Sequence, residues 1–289
     1  MSSLSPLDPG FTTPEMAEIW TAAARAGAIL EFEAALAMAM AEVGLAPLQE
    51  AEAVAAACEV PLEDPEGVFA STWEIGTPVI AVVEELRARL TPEQGAWVHR
   101  GATSQDAIDT SQMLQAGKAL DLLAGSMARI AGSMLGLMEA HRRLPQMGRT
   151  FLREARPTTF GMRVAGWLEP LLRQIEGLRA VRRGLAIQLG GPVGTRAELG
   201  TEAAEVVAAA SRHLGLAGPA LAWHADRSRM WEIVEAVEAP VRSMAKVAAD
   251  IALLSQAGVD EVAVRAGGSS SMAGKRNPID AIHALAAAE

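Results

Sequence analysis

The sequence predicts an all-α protein in which a bundle of long helices follows a small helical N-terminal domain. Alanine, leucine, glutamate and arginine dominate its 289 residues, tyrosine is absent, and only 4% of residues are aromatic, a composition that favours helices over sheets. Half of the residues are hydrophobic, which is enough for a substantial core. Long stretches repeat apolar residues at alternating spacings of three and four, as in helices that pack nearly parallel.

Residues 1 to about 100 are predicted to form the small domain from short helices. A threonine, a proline and a glutamate at 13–15 have the form of a helix cap, a proline start and an acid in the first turn. An apolar helical run over 28–43 stops before a glycine, which commonly ends a helix. Two further helices are predicted over 50–58 and 78–90.

Residues 101–289 are predicted to form the bundle domain. Its helices are expected over 103–144, 157–189, 198–214 and 228–257, and Pro240 is expected to interrupt the last of them. Only three long helices and the start of another are present, so their apolar seams require partners. Either neighbouring subunits supply these partners or the chain has lost its tail, and the two explanations are compatible.

Charge and cysteine content narrow the range of functions. A formal net charge of −10 without a long basic block argues against a nucleic-acid-binding protein. The one cysteine, Cys58, excludes an intramolecular disulfide and is expected to be a small buried hydrophobe rather than a nucleophile. The histidines and acids lack the spacing of metal ligands, so we expect no metal and no cofactor.

The sequence also predicts where the protein works. The first eleven residues lack the basic start and apolar run of a signal peptide. No uncharged apolar run approaches the length that a bilayer requires. We therefore expect a cytoplasmic protein without membrane or nucleic-acid partners.

The stretch 267–278, Gly-Gly-Ser-Ser-Ser-Met-Ala-Gly-Lys-Arg-Asn-Pro, is the strongest candidate for a binding loop. Its adjacent glycines predict a loop in which hydroxyl groups precede Lys275. Asn277 and Pro278 fit an N-cap and a first helical residue, and Asp280 would favour the positive helix end. Together these groups suit an anionic substrate that gains negative charge. A Gly/Ser linker before a capped helix is the open alternative.

Three separated segments resemble those of the fumarase/aspartase superfamily. They are His-Arg-Gly-Ala-Thr-Ser-Gln-Asp at 99–106, Gly-Arg-Thr at 148–150 with Ala-Arg-Pro-Thr-Thr-Phe-Gly at 155–161, and the loop 267–278. Each motif alone is of moderate specificity, but all three occur in order at long-helix spacing. The resemblance implies a long-helix bundle that assembles as a homotetramer, with active sites built from three chains. Members usually continue well beyond the third motif, so it also implies a truncated chain without a C-terminal domain.

Within the superfamily, the chain most resembles the 3-carboxy-cis,cis-muconate cycloisomerases. The segments at 99–106, 188–195 and 223–227 have that form, and Phe151 stands where fumarases and adenylosuccinate lyases carry a catalytic histidine. The implied reaction is an intramolecular lyase reaction of protocatechuate-type aromatic catabolism that closes a 3-substituted muconate to a γ-lactone. An adenylosuccinate- or argininosuccinate-type lyase and a catalytically silent helical scaffold remain the alternatives.

The resemblance also implies roles for individual residues. Ser269 would transfer a proton at carbon, with Lys275 and loop N–H groups stabilising its alkoxide. Lys275 and Asn277 would hold a substrate carboxylate. Further substrate contacts are expected from His99, Thr103, Ser104, Thr150, Ser270 and Met272.

Two departures from the family pattern bear on the substrate. Arg153 stands where relatives commonly carry glutamine, and its additional guanidinium suits a sulfonate in place of a carboxylate. We therefore expect either a muconate tricarboxylate or a sulfonated analogue. Ala273 replaces the usual proline of the third motif. Among the remaining candidates, Asp106 is expected only to cap a helix, and a binding role for His224 is left open.

Overall fold

The computed structural model of the chain describes residues 11–265, 272 and 275–289. Within these residues the protein is helical apart from one small two-stranded sheet, so the predicted all-α class is confirmed. Seven helices lie in the N-terminal part: α1 Pro14–Ile19, α2 Ala22–Glu42, α3 Leu48–Cys58, α4 Pro65–Ala70, α5 Thr72–Ile75, α6 Pro78–Ala88 and α7 Pro92–Gly95.

Longer helices dominate the remainder of the described chain. They are α8 Ser104–Ala140, α9 Phe160–Gly184, α10 Ala203–Leu214, α11 Ser228–Leu254 and α12 Ile279–Ala286, with a 3-10 helix at Ala197–Glu202 before α10. The predicted long helices are confirmed. However, α11 continues through Pro240, so the predicted interruption there is wrong.

The second long helix is shorter than predicted. It ends at Gly184, and residues 185–189 form a buried extended segment instead. This segment pairs with Ala217, which accepts from the Ile187 N–H at 3.0 Å and donates to the Leu185 carbonyl at 2.8 Å. Tertiary pairing therefore overrides the local helical pattern.

A hairpin that the sequence pattern did not predict precedes α9. Strand β1, Pro145–Thr150, pairs antiparallel with strand β2, Arg153–Thr159, and the register shifts between Met147 and Arg149. Gly148 lies at that irregularity, where a Cβ would come within 2.6 Å of the Arg156 carbonyl oxygen. The second family motif is therefore mostly strand rather than helix.

The chain divides into two compact units, and each is described by itself. The first unit comprises Pro14–Asp121 and Val181–Glu232, and the second comprises Leu122–Ala180 and the described residues of Ile233–Glu289. This division follows residue contacts and differs from the predicted domains 1–100 and 101–289. Those domain boundaries stay a prediction.

Helix α2 lies at the centre of the core of the first unit. Its start is capped by Thr21, whose hydroxyl accepts from the Ala24 N–H at 3.1 Å. Phe32, Leu36 and Met40 recur every four residues and are fully buried, as expected for one face of a core helix. Helices α3 and α10 pack against α2.

One helix of the described chain, α8, is long and apolar enough to cross a membrane by length and composition alone. A core helix of a helical bundle has the same length and composition. The observation is therefore weak evidence for a membrane span.

Candidate active site

His99 is held by a buried carboxylate in the first unit. Its backbone N–H donates to Glu33 Oε2 at 2.8 Å, and its ring Nδ1 lies 2.6 Å from Glu33 Oε1. Because a carboxylate only accepts, the ring donates from Nδ1, and Nε2 of the neutral ring is left as an acceptor. Glu33 is only 1% exposed, so the ring orientation is set from within the core.

The start of α8 is fixed by Asp106, which is fully buried. Asp106 Oδ2 accepts from the backbone N–H of Thr103 at 3.0 Å and of Gly191 at 2.9 Å. Oδ1 accepts from Gln188 Nε2 at 2.8 Å and from the Gly190 N–H at 3.0 Å. The predicted capping role of Asp106 is confirmed, and the same carboxylate also ties a distant glycine-rich segment to the helix start.

That glycine-rich segment needs the backbone freedom of glycine. Gly191 has a φ of +67°, a conformation that glycine adopts readily, and its N–H donates to Asp106. Arg196 holds the segment from the other side by donating to the Leu189 carbonyl at 2.8 Å and to the Ala220 carbonyl at 3.0 Å. Burial lowers the pKa of Arg196, while the negative charge of Asp106 acts in the opposite direction.

A second loop is anchored on α8 by an ion pair. Arg227 donates to both carboxylate oxygens of Asp109, at 2.7 and 2.9 Å, and Asp109 also accepts from Gln105 Nε2 at 2.8 Å. The hydrogen bond with Asp109 raises the pKa of Arg227. In the same loop, the ring Nδ1 of His224 lies 3.2 Å from Gln188 Nε2. The loop that resembles the family pattern is therefore joined to α8 through Asp109 and to the buried segment 185–189 through Gln188.

The predicted residues of the first motif thus lie together in the first unit. Thr103 and Ser104 are half-buried at the start of α8, and His99 is close to them in the chain. The backbone N–H groups of Ser104 and Gln105 are not bonded to any residue that the structure describes. Unpaired N–H groups at the start of a long helix bind anions, so this end of α8 is suited to a carboxylate. The substrate contacts of these residues stay predictions.

The second motif presents its residues on the surface of the second unit. Thr150 and Arg153 pair across the hairpin turn, and both are exposed. Phe151 and Leu152 form the turn with φ of 50° and 63°, in a conformation that bulky side chains rarely adopt. The Phe151 side chain is fully exposed, so it contributes nothing to the core of this unit.

A network of charged and amide side chains fixes the base of the hairpin. Glu261 accepts from Arg149 at 2.6 Å and from Gln146 Nε2 at 2.8 Å, and Gln146 Oε1 accepts from Arg163 at 2.6 Å. The hydrogen bond with Arg149 lowers the pKa of Glu261 and raises that of Arg149. A cavity of about 360 Å³ adjoins this network and is lined by Arg149, Phe151, Arg163 and Asp250, among others.

Part of the predicted binding loop lies outside the described residues, including Ser269, Ser270 and Ala273. Lys275 is exposed and lines a cavity of about 640 Å³ in the second unit, and Met272 is exposed as well. Asn277 was predicted to cap the last helix, but that helix begins at Ile279 with Pro278 as its cap, one residue later than predicted. Proline has no side-chain acceptor, so this cap makes no side-chain hydrogen bond. The substrate roles of Lys275, Met272 and Asn277 stay predictions.

Two further histidines and the cysteine have structural surroundings that account for them. His213 Nε2 lies 3.2 Å from Glu42, and the His141 ring packs edge-on against Phe160. Burial raises the pKa of the Cys58 thiol to about 12, which fits the predicted inert thiol. Among the residues that the structure describes, no group of three or more metal-binding side chains comes together.

Comparisons with known proteins identify the family of this chain. The sequence model of a family described as "Lyase" matches residues 10–287. The chain belongs to this lyase family, within the fumarase/aspartase superfamily.

Individual relatives extend the comparison. The chain is 38% identical, over 97% of its length, to a 3-carboxy-cis,cis-muconate cycloisomerase of Pseudomonas aeruginosa, of which it covers 63%. It is 35% identical, over 96% of its length, to a trans-aconitate decarboxylase of Mycosarcoma maydis, of which it covers 58%.

A solved structure agrees with these relatives. The 3-carboxy-cis,cis-muconate lactonizing enzyme of Pseudomonas putida superposes with a TM-score of 0.89 at 36% identity, covering 97% of this chain and 64% of that one. The chain therefore spans a little under two thirds of the length of these relatives.

Proposed function

We propose that the protein is a cycloisomerase that closes a 3-substituted cis,cis-muconate to a γ-lactone. The proposal is supported by the N–H groups of Ser104 and Gln105 at the start of α8, which are unpaired among the described residues, in a chain similar to enzymes named for this reaction. Unpaired N–H groups there suit one carboxylate of a substrate that bears several. A 3-carboxymuconate has three carboxylates, so the substrate class fits the site.

Apart from one proton, which the ionised substrate takes up at carbon, the reaction needs no atom beyond those of the substrate. A carboxylate oxygen adds to a double bond of the same molecule, the electron pair moves onto a neighbouring carboxylate as an enediolate, and a carbon then takes up a proton. The reaction therefore needs hydrogen-bond donors around the developing negative charge, and it needs one group that moves a proton at carbon. Thr103, Ser104 and the N–H groups of α8 would meet the first need.

Ser269 is proposed to move the proton, with Lys275 supporting its alkoxide and Asn277 binding a substrate carboxylate beside it. His99 is proposed to contact the substrate through Nε2, because Glu33 occupies Nδ1. Thr150, Ser270 and Met272 complete the proposed set of contacts. The proposal places no metal or other cofactor in the reaction.

Phe151 distinguishes this proposal from an adenylosuccinate- or argininosuccinate-type lyase. Those lyases use a histidine where this chain has Phe151, and a phenyl ring cannot transfer a proton. The proposed reaction leaves that position without a proton-transfer role.

Arg153 is proposed to set the preference between a carboxylate and a sulfonate on the muconate. It is exposed beside the hairpin turn, so its guanidinium is available to an anion. The Arg153→Gln variant should lower kcat/KM for sulfomuconate relative to carboxymuconate by about tenfold. Equal ratios in the variant and the parent would remove the support for this preference.

We further propose that the protein works in the cytoplasm as a homotetramer with active sites shared between subunits. The tetramer is supported by exposed apolar residues on the long helices. Leu135 and Leu137 on α8 and Val234 on α11 are 44%, 45% and 51% exposed. Sedimentation analysis of the purified protein would give the mass of a tetramer, and a monomer at micromolar concentration would contradict the shared site.

The direct assay follows loss of the diene absorbance of 3-carboxy-cis,cis-muconate, with adenylosuccinate as a parallel substrate. We expect turnover of the muconate alone and a loss of at least about a hundredfold in Ser269→Ala. Ser211→Ala, which removes a serine hydroxyl hydrogen-bonded to the Ala208 carbonyl, is the matched control and should keep the parent rate. Turnover of adenylosuccinate but not of the muconate would refute the proposal.

A further inference from the structure

The side-chain amide of Gln188 is fully buried, and its neighbours fix which terminal atom is oxygen. The backbone N–H of Trp223 meets Oε1 at 2.7 Å, and a backbone N–H can only donate. Its partner is therefore the amide oxygen. The other terminal atom, Nε2, is the nitrogen that carries two hydrogens.

Those two hydrogens have two distinct acceptors. One is donated to Asp106 Oδ1, which lies 2.8 Å from Nε2. A carboxylate oxygen can only accept. The other lies toward the ring Nδ1 of His224 at 3.2 Å. Nδ1 must then be the acceptor, and the proton of the neutral ring is on Nε2.

Asp106 cannot turn away from this arrangement without cost. Its remaining acceptor positions are filled by the backbone N–H groups of Thr103, Gly190 and Gly191, and the carboxylate is fully buried. The His224 ring lies close to Gly194, where an added Cβ would come within 3.2 Å of its Cε1 atom. The direction of the hydrogen bonds therefore runs from Gln188 to His224 and from Gln188 to Asp106.

We propose that Gln188 and Asp106 are positioning residues that keep the proton of His224 on Nε2, and that this N–H donates to a carboxylate of the substrate. The ring Nε2 is not bonded to any part of the chain that the structure describes. His99 is set the opposite way, since Glu33 takes its Nδ1 proton and leaves Nε2 as an acceptor. The first unit thus holds one histidine oriented to donate and one oriented to accept. The identity of the carboxylate rests on the proposed function.

Nitrogen NMR of histidine-labelled protein tests the tautomer without any assay of activity. At a pH of about 8, where a histidine is ordinarily neutral, the parent should show His224 with Nε2 protonated and Nδ1 unprotonated. The His224→Gln variant identifies the signal by its loss. In Gln188→Met, the donor to Nδ1 is lost, so the His224 signals should shift toward a mixture of the two neutral tautomers.

Kinetics test the role toward substrate. Gln188→Met removes the donor while keeping the volume, and it should raise KM for 3-carboxymuconate about tenfold with little change in kcat. The control is Gln174→Met, because Gln174 is a partly buried glutamine that donates to Ser243 at 2.6 Å in the second unit. It should leave KM unchanged.

Separate results overturn the inference and the proposed function. A parent His224 with its proton on Nδ1, or an unchanged KM in Gln188→Met, overturns the inference. If the parent does not turn over the tricarboxylate, the proposed function fails instead. In that case, the His224 Nε2 signal is compared with and without the same compound. A shift of the signal supports the inference, and an unchanged signal overturns it.

Discussion

The two units hold their charged groups in different ways. In the first unit, Glu33, Asp106 and Asp109 are buried, and donors of the protein surround each carboxylate. In the second, Arg149 and Glu261 are each about one-fifth exposed. A buried charge without its partner costs far more free energy than an exposed one. The first unit therefore fixes the geometry of its candidate site before any ligand binds, whereas the second leaves its candidate residues on the surface.

The largest expected effect comes from removing a charge in the first unit. Asp106→Asn should lower the free energy of unfolding by about 3 kcal/mol, because an NH₂ group then faces donors that a carboxylate had satisfied. Glu261→Gln in the second unit should lower the free energy of unfolding by only about 1 kcal/mol. Urea unfolding of the two variants gives both values, and equal losses would contradict the contrast between the units.

A smaller effect should appear in the pH dependence of the Arg149–Glu261 pair. The pKa of Glu261 is lowered in the folded protein, so the pair stabilises the fold above the ordinary glutamate pKa and loses this contribution as the pH falls through the lowered value. Arg149→Gln should thus lower the free energy of unfolding at neutral pH and change it little in acid. Urea unfolding of parent and variant at several pH values measures this difference, and a difference independent of pH would show that the ion pair does not supply it.

The smallest effect concerns the hairpin turn. The double variant Phe151→Asn, Leu152→Gly places residues that tolerate positive φ in the turn. Its free energy of unfolding should therefore rise by about 0.5–1 kcal/mol. Leu152→Ala keeps the unfavourable conformation and should give no gain. Thermal unfolding compares the variants, and destabilisation by the Asn-Gly turn would mean that the Phe151 side chain supports the fold.

The sequence predicted most of the helices but not the hairpin or the partners of the site. Hydroxyl caps and apolar spacing located α8 and α11 to within a few residues. The hairpin was missed because its strands are largely exposed and lack the apolar alternation of a half-buried sheet. Local pattern could not show residues 185–189 as extended, since their partner Ala217 lies far along the chain.

Glu33 is the clearest residue that the sequence analysis missed. Glu33 interrupts the apolar residues of α2 in the sequence, and its partner His99 is 66 residues away. An acid on the buried face of a core helix was the available signal, because such a charge needs a partner. Gln188 gave a weaker signal, since it lies in a segment predicted to be helical.

The most direct test of the central claim is identification of the product by proton NMR after incubating the purified protein with 3-carboxy-cis,cis-muconate. We expect a γ-lactone isomeric with the substrate, with loss of the diene, formed by the parent but not by Ser269→Ala. Unchanged diene, or a product that has lost a fragment such as carbon dioxide, would contradict it.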